Sequence, residues 1–234
     1  MVVHEAAMRA GKATGASSGV LATALLAAVP ALGQIVGAPG VPPNLRPIVL
    51  QAPNGVPVVN IQTPSAAGVS RNLYSQFDVQ TRGVIVNNSR SNVQSGIGGW
   101  INGNPFLATG PARVIVNEVG SSNPSYINGP VEIAGQRAEF ILANPSGISV
   151  NGGTFINAAG VTLTTGAPQY NAAGGLDSYV VRSGTVNLDG LGLDASKADY
   201  AAILARAVQI NAALHAKDLK VVTGANPISR DRTQ

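Results

Sequence analysis

Acid–base chemistry would fall first to the carboxylates, and only 11 Asp and Glu are spread over 234 residues. Glu132 and Glu139 lie seven apart with Arg137 between them, and Asp189 and Asp194 lie five apart. Glycoside hydrolysis needs two carboxyl groups about 5 to 9 Å apart, and neither pair occupies adjacent positions of one strand. Stacking of chain segments could still bring two acids together. A carbohydrate-active β-helix enzyme or a carbohydrate-binding module is therefore kept as the alternative reading. The simpler expectation is that Glu132, Arg137 and Glu139 form a solvated or ion-paired surface cluster.

Other reactive groups point the same way. The two histidines, His4 and His215, have no neighbouring Cys or second His with which to build a zinc site. There is no cysteine, which excludes disulfides, thiolate metal sites and Cys nucleophiles. Serines are many, but none sits in a Gly-x-Ser-x-Gly element on a strand-to-helix turn. Gly96-Ile97-Gly98-Gly99 lacks the spacing of a dinucleotide loop and reads as a turn. The expectation is a chain with no catalytic, cofactor-binding or metal site.

The elements that would position such groups are short strands. Hydrophobic residues make up 45% of the chain and aromatics only 4%, alongside 28 Gly and 15 Pro. The apolar bulk is thus Val, Ile, Leu and Ala, which suits many short strands packed in layers. Strand-length runs closed by polar turns recur: Val58-Val59-Asn60-Ile61, Val84-Ile85-Val86-Asn87-Asn88, Val114-Ile115-Val116-Asn117, Phe140-Ile141-Leu142, Ile148-Ser149-Val150-Asn151, Val161-Thr162-Leu163-Thr164, Val208-Gln209-Ile210-Asn211 and Leu219-Lys220-Val221-Val222-Thr223. Asn-Pro recurs at 104, 123, 144 and 226, in steps of 19, 21 and 82, the last close to four of the shorter ones. In Asn144-Pro145-Ser146-Gly147 the residue types are those of a tight turn.

A period near 20 with strands and turns inside each unit is the pattern of a solenoid. Residues 69–223 read as a parallel β-helix with Val/Ile ladders inward and Asn, Thr and Ser amides and hydroxyls bonding between coils. Residues 47–69 are the candidate N-terminal cap, because a solenoid end needs covering. Residues 194–216 are ambiguous. Their Ala-rich content with Ser196 as an N-cap suits a helix, but the coil-like run that follows favours a bulged strand.

The ends carry most of the formal charge of +4: residues 1–46 and the tail after Ser229 together account for +3. The body is nearly neutral and has no Lys/Arg run, which excludes a phosphate-tracking, nucleic-acid-binding surface. Residues 1–33 have the layout of an export signal: Arg9 and Lys12, an apolar run from Val20 to Val29, then Pro30 and small residues. A short buried Ala/Leu helix is the other reading. The apolar run is about half of the roughly 20 residues that span a bilayer. Residues 34–57 form a Pro/Gly-rich lead-in with little structure of its own.

Several stretches, in order, resemble the N-terminal secretion domain of two-partner secretion exoproteins, the filamentous haemagglutinin family, and especially its contact-dependent growth inhibition (CdiA-type) branch. They include Gly55-Val56-Pro57-Val58-Val59-Asn60-Ile61, Asn72-Leu73-Tyr74-Ser75-Gln76-Phe77-Asp78-Val79, Ala112-Arg113-Val114-Ile115-Val116-Asn117-Glu118-Val119 and Ala205-Arg206-Ala207-Val208-Gln209-Ile210-Asn211-Ala212. The family's motifs Asn-Pro-Asn-Leu and Asn-Pro-Asn-Gly-Ile fall at Asn104-Pro105-Phe106-Leu107 and Asn144-Pro145-Ser146-Gly147-Ile148, each departing at the third position.

The resemblance implies an all-β fold, a right-handed parallel β-helix with an N-terminal β cap and extra-helical hairpins. Its domain limits would be 1–33 for the signal region, 34–54 for the lead-in, 55–229 for the β-helix and 230–234 for a tail. It implies a non-enzymatic, secreted, cell-surface role in targeting and folding nucleation for a large adhesin or growth-inhibition toxin carrier. The implied partner is an outer-membrane β-barrel transporter that recognises the chain through its periplasmic POTRA domains, with a target-cell receptor engaged by regions beyond this sequence. Against the family's usual length, the chain is expected to be a fragment of a longer exoprotein.

Overall fold

The computed structural model describes residues 35–230. The export signal expected at residues 1–33 and all but the first residue of the tail lie outside them. β-Branched residues crowd the backbone at Cβ and favour pleated strands, and here most short Val/Ile runs are strands that stack in parallel on runs of neighbouring coils. Three sheets result. The first runs in the order Ile35–Gly37, Val69–Phe77, Val114–Val119, Ala138–Ala143, Ala158–Thr164, Tyr200–Ala205, Leu219–Thr223. The second runs Ile48–Gln51, Pro57–Asn60, Val84–Asn88, Pro130–Gly135, Gly153–Ile156, Leu193–Ala195, Leu214–Ala216. The third holds Ser125–Ile127, Ile148–Val150, Thr185–Leu188 and Ala207–Ile210.

Following the chain from Val114–Val119, each turn of the coil visits the first, third and second sheets and returns, so the fold is a three-faced parallel β-helix. Partners in adjacent coils are 24 residues apart at Val131 and Phe155 and 21 apart at Leu193 and Leu214. Two steps are longer: 47 at Val84 and Val131, and 40 at Gly153 and Leu193. The extra length leaves the helix as hairpins. Val93–Ser95 pairs antiparallel with Gly99–Ile101, and Ala167–Tyr170 pairs antiparallel with Leu176–Val180, to which Pro227–Ser229 adds a third strand.

The core explains why some runs alternate and others do not. Phe140 and Leu142 point into the helix interior, whereas Ile141 between them joins a second apolar cluster with Leu176, Tyr179 and Ile228 of the three-stranded outer sheet. Val84 and Val86 likewise point inward, and Ile85 lies under the Val93–Ile101 hairpin with Ile101 and Ala52. Strands covered on both faces read as continuous apolar runs. Where no layer covers the outside, the run alternates, as in Ile148-Ser149-Val150. Four of the ten aromatics form a row in the interior: Tyr74, Phe77, Phe140 and Phe155 follow one another with centroids 5.0, 6.2 and 5.4 Å apart. Each fully buried ring contributes on the order of 2 kcal/mol through area removed from water.

Polar ladders run beside the apolar ones. Tyr74 Oη donates to Asn117 Oδ1 at 2.9 Å, and Asn117 Nδ2 donates to the Ile141 carbonyl of the next coil at 3.1 Å. Asn157 Nδ2 similarly reaches the Ile133 carbonyl at 2.8 Å. Asn117 is fully buried, where an unpaired amide would be costly, whereas the exposed Asn157 ties two coils together at the surface.

Four expectations need correction. The lead-in is not structureless, because Ile35–Gly37 and Ile48–Gln51 within it are strands that pair antiparallel with Val69–Phe77 and Pro57–Asn60. The solenoid starts before residue 69, since Pro57–Asn60 already pairs in parallel with Val84–Asn88. Only the Ile48–Gln51 part of the expected cap, joined by Ile35–Gly37, is antiparallel and terminates the ladders. The ambiguous segment has no helix: its Ala-rich middle is two strands in different sheets, Tyr200–Ala205 and Ala207–Ile210, with a corner at Arg206 in place of a bulge, and Leu193–Ala195 and Leu214–Ala216 flank them across turns. The Ser196 N–H donates to Asp194 Oδ1 at 2.9 Å in a turn and begins no helix.

Candidate functional site

The two Asn-Pro motifs share one hydrogen-bonding plan. In the first, Asn104 Oδ1 accepts from the Phe106 N–H at 3.0 Å, and its Nδ2 donates to the carbonyls of Ile61 at 2.9 Å and Asn87 at 3.0 Å. In the second, Asn144 Oδ1 accepts from the Ser146 N–H at 2.9 Å, and its Nδ2 donates to the Asn123 carbonyl and Ser125 Oγ, both at 2.9 Å. Each Asn carbonyl also accepts a turn bond, from Leu107 N at 3.2 Å and from Gly147 N at 3.0 Å. Proline follows the Asn in both, where its fixed φ suits the turn and its missing N–H costs nothing.

The side chain of Asn is thus both the turn-former and the tie to a neighbouring stretch of chain, and both asparagines are buried. The third residue lends the turn only its backbone N–H, which is why Phe106 and Ser146 are accommodated. Ser146 Oγ adds a bond to the Ser121 carbonyl at 3.0 Å, and Phe106 lines a cleft of about 590 Å³ with Ile35, Val41 and Ile48 of the N-terminal segment. Leu107 and Ile148, which close the motifs, are buried in the core. Gly147 takes φ +114°, which admits the chain into the strand Ile148–Val150. The two motifs make no hydrogen bond to each other.

Asn226-Pro227 does not continue this series. It opens the outer strand Pro227–Ser229, and the Asn226 carbonyl accepts from Val181 N at 3.0 Å. The 82-residue step therefore counts hairpin residues as well as coils.

The carboxylates do not converge, and Glu132, Arg137 and Glu139 are not one cluster. Glu132 is buried on the second sheet, where its oxygens accept from Ser95 Oγ at 2.7 Å, Gly96 N at 2.7 Å and Ile97 N at 3.0 Å. Arg137 pairs with Asp199 at 3.0 Å, and this bond holds the Asp199 carboxyl below the usual range. Glu139 pairs with Arg230 at 3.2 Å and helps to fasten the outer strand. Asp189 accepts from Asn211 Nδ2 at 2.9 Å, and Asp194 from Ser196 N. His215 is exposed on the strand Leu214–Ala216. Among the described residues no group of three or more His, Cys, Asp or Glu could hold a metal ion.

The Glu132 latch was not anticipated, although Gly96-Ile97-Gly98-Gly99 does form a turn, that of the Val93–Ile101 hairpin. Small residues with free N–H groups are the signal for it, because a tight turn aims successive amides at an anion. A second clasp holds the outer sheet. Arg71 Nε donates to Glu118 Oε1 at 2.7 Å, the Tyr170 hydroxyl donates to the same oxygen, and the Arg71 guanidinium lies 4.6 Å from the Tyr170 ring centroid. Burial is the main reason that the Tyr170 phenol is held well above its ordinary range, with Glu118 adding to it.

A capped, three-faced β-helix whose singular features are buried Asn-Pro corners, with Glu118, Glu132, Glu139 and Asp199 tied into structural contacts, has the make-up of an assembly and targeting module. A family model described as TPS secretion domain matches residues 35–234. The chain belongs to this family of two-partner secretion domains. It is 48% identical over 194 residues to Toxin CdiA of Yersinia pestis, covering 83% of this chain and 6% of that protein. It is 50% identical over 183 residues to tRNA nuclease CdiA-2 of Burkholderia pseudomallei, covering 78% of this chain and 6% of the relative. Among solved structures, the filamentous hemagglutinin secretion domain matches with a TM-score of 0.75 and 37% identity, over 86% of this chain and 66% of that one. The chain thus spans about 6% of the length of the curated relatives it matches, and their toxin and nuclease names describe those whole proteins.

Proposed function

We propose that this chain is the delivery and nucleation module of a large CdiA-type surface exoprotein. An outer-membrane two-partner secretion β-barrel recognises it in extended form through periplasmic POTRA domains, and it folds after emerging at the cell surface. Residues 1–33 supply the export signal in this reading. The Asn104-Pro105-Phe106-Leu107 and Asn144-Pro145-Ser146-Gly147-Ile148 segments are the stretches read by the transporter before they close into corners.

The observation that carries the reading is the asymmetry of the two ends. Antiparallel strands Ile35–Gly37 and Ile48–Gln51 terminate the first and second sheets at one end. At the other end Leu219–Thr223, Leu214–Ala216 and Ala207–Ile210 are the last strands of their sheets among the described residues, and Ile210, Leu219 and Val221 are exposed. A solenoid capped at one end and open at the other is a template on which further coils can stack. The absence of cysteine keeps the chain free of cross-links while it is threaded.

Co-expression with the cognate barrel should place the domain outside the cell, and Asn144→Ala or Pro145→Ala should lower the exported amount. Equal export with and without the barrel would sink the proposal. The enzymatic form of the carbohydrate alternative is not favoured, since Glu132, Glu139, Asp189 and Asp194 are engaged separately in structural contacts.

A further inference from the structure

We propose that the cleft between the strands Ile48–Gln51 and Pro57–Asn60 and the hairpin strand Gly99–Ile101 binds a single neutral pyranose ring. This site is additional to the secretion role and carries no turnover. It is an open cleft of about 320 Å³, lined by Leu50, Gln51, Val58, Asn60, Trp100 and Asn102, among others. That volume is at the small end of the range for ligand sites, roughly 300 to 1,000 Å³.

Trp100 is the sole tryptophan of the chain and is 66% exposed, an indole left in water beside the cleft. Asn60 is only 6% exposed, and its orientation is imposed. Its Oδ1 accepts from Asn87 Nδ2 at 2.8 Å, while Asn87 is itself fixed by donating to the Asn102 carbonyl at 2.9 Å and accepting from Ser89 N at 3.2 Å. With its oxygen so committed, Asn60 presents an Nδ2 donor that has no hydrogen bond among the described residues. The buried side-chain polar atoms without a partner among the described residues are Asn187 Oδ1 and Arg230 Nε, so the Asn60 Nδ2 is open to solvent, where a ligand acceptor in the cleft can take the place of water.

The wall opposite is rigid. The hairpin that carries Trp100 is latched by the three hydrogen bonds to Glu132. It lies so close to the second sheet that a Cβ on Gly98 would sit 2.3 Å from Ile85 Cδ1.

The lining selects the ligand class. None of the lining side chains is charged, so phosphates, uronic acids and cationic groups find no counter-charge. A pyranose has an apolar C–H face for the electron-rich indole. Its edge of hydroxyls matches amide groups that both donate and accept, as on Gln51 and Asn102, and the fixed Asn60 donor. A proline-rich peptide needs aromatic rings in series along a groove, whereas Trp100 is the one aromatic lining this cleft.

Because Trp100 is the only tryptophan, its emission reports this site alone. Titration of the purified chain with methyl α-mannopyranoside, methyl β-galactopyranoside and methyl β-glucopyranoside should give a saturable emission change with at least one, at a Kd on the order of 1 mM, as suits so small a ligand. Saturation-transfer NMR should show that sugar's ring protons contacting the protein, a signal lost in Trp100→Ala and weakened tenfold or more in Gln51→Ala with Asn102→Ala, at unchanged circular dichroism. No saturable response to any of the three up to about 100 mM, an undiminished signal in Trp100→Ala, or a response to a proline decamer in place of the sugars would overturn the proposal. Export of Trp100→Ala is expected at the wild-type level. Loss of export along with binding would assign Trp100 to the transporter and also overturn it.

Discussion

Asn144 Nδ2 donates to the carbonyl of Asn123 at 2.9 Å, so two Asn-Pro corners separated by 21 residues are tied one above the other. The same side chain closes its own turn, which makes a single carboxamide responsible for both the shape of a corner and its stacking on the neighbouring coil. Asn144→Ala removes three hydrogen bonds from a buried site and should cost about 3 kcal/mol, read as a lower urea midpoint with an unchanged m-value. Ser146→Ala, which keeps the backbone N–H used by Asn144, should cost under about 1 kcal/mol. Equal effects would show that the turn does not depend on Asn144 as described.

Gly192 sits where one coil lies directly against the next. It has φ +70°, and a Cβ there would lie 1.9 Å from the Ala213 carbonyl oxygen. Gly192→Ala should therefore destabilise by about 2 to 4 kcal/mol, a fall in Tm of roughly 5 to 15 °C for a domain of this size. Gly120→Ala, with open space around its Cβ, serves as the neutral control in the same calorimetric comparison.

Glu132 fastens the Val93–Ile101 hairpin through Ser95, Gly96 and Ile97. Glu132→Gln replaces one accepting oxygen by a donor that faces other donors, and should loosen the hairpin by about 1 to 3 kcal/mol. Hydrogen exchange should speed up at the amides of residues 95–98 while the Ala138–Ala143 strand keeps its protection. Uniform loss of protection would mean that the latch supports the whole helix.

Burial raises the phenol of Tyr74 well above its ordinary 10.0, and burial together with Glu118 does the same for Tyr170. A group whose pKa is raised on folding binds its proton more tightly in the native state. Its contribution is complete below the unfolded value and is lost as pH climbs beyond it. Stability should thus be flat to about pH 10 and then fall, by up to about 1.4 kcal/mol per pH unit for each tyrosine. Tyr74→Phe should flatten that fall in denaturant titrations at successive pH values. A slope unchanged by both Tyr74→Phe and Tyr170→Phe would refute the assignment.

The amino-acid sequence by itself determined the fold class, because short β-branched runs closed by Asn, Gly and Pro turns encode strands and corners locally. It also located the two Asn-Pro corners, whose turn bonds join residues two and three positions apart. It marked the covered faces too, although the meaning of Phe140-Ile141-Leu142 as a strand buried on both sides emerges only once the outer sheet is seen to lie over Ile141. Tertiary structure alone decided the coil count and the partners of the acids. Two hairpins lengthen the step between stacked strands, so a spacing of 40 or 47 residues hides one coil and not two. Glu132 meets Ser95 across 37 residues and Arg230 meets Glu139 across 91. Such contacts depend on which coil each residue joins, and that is set by loops whose length costs little free energy and leaves no periodic trace in the chain.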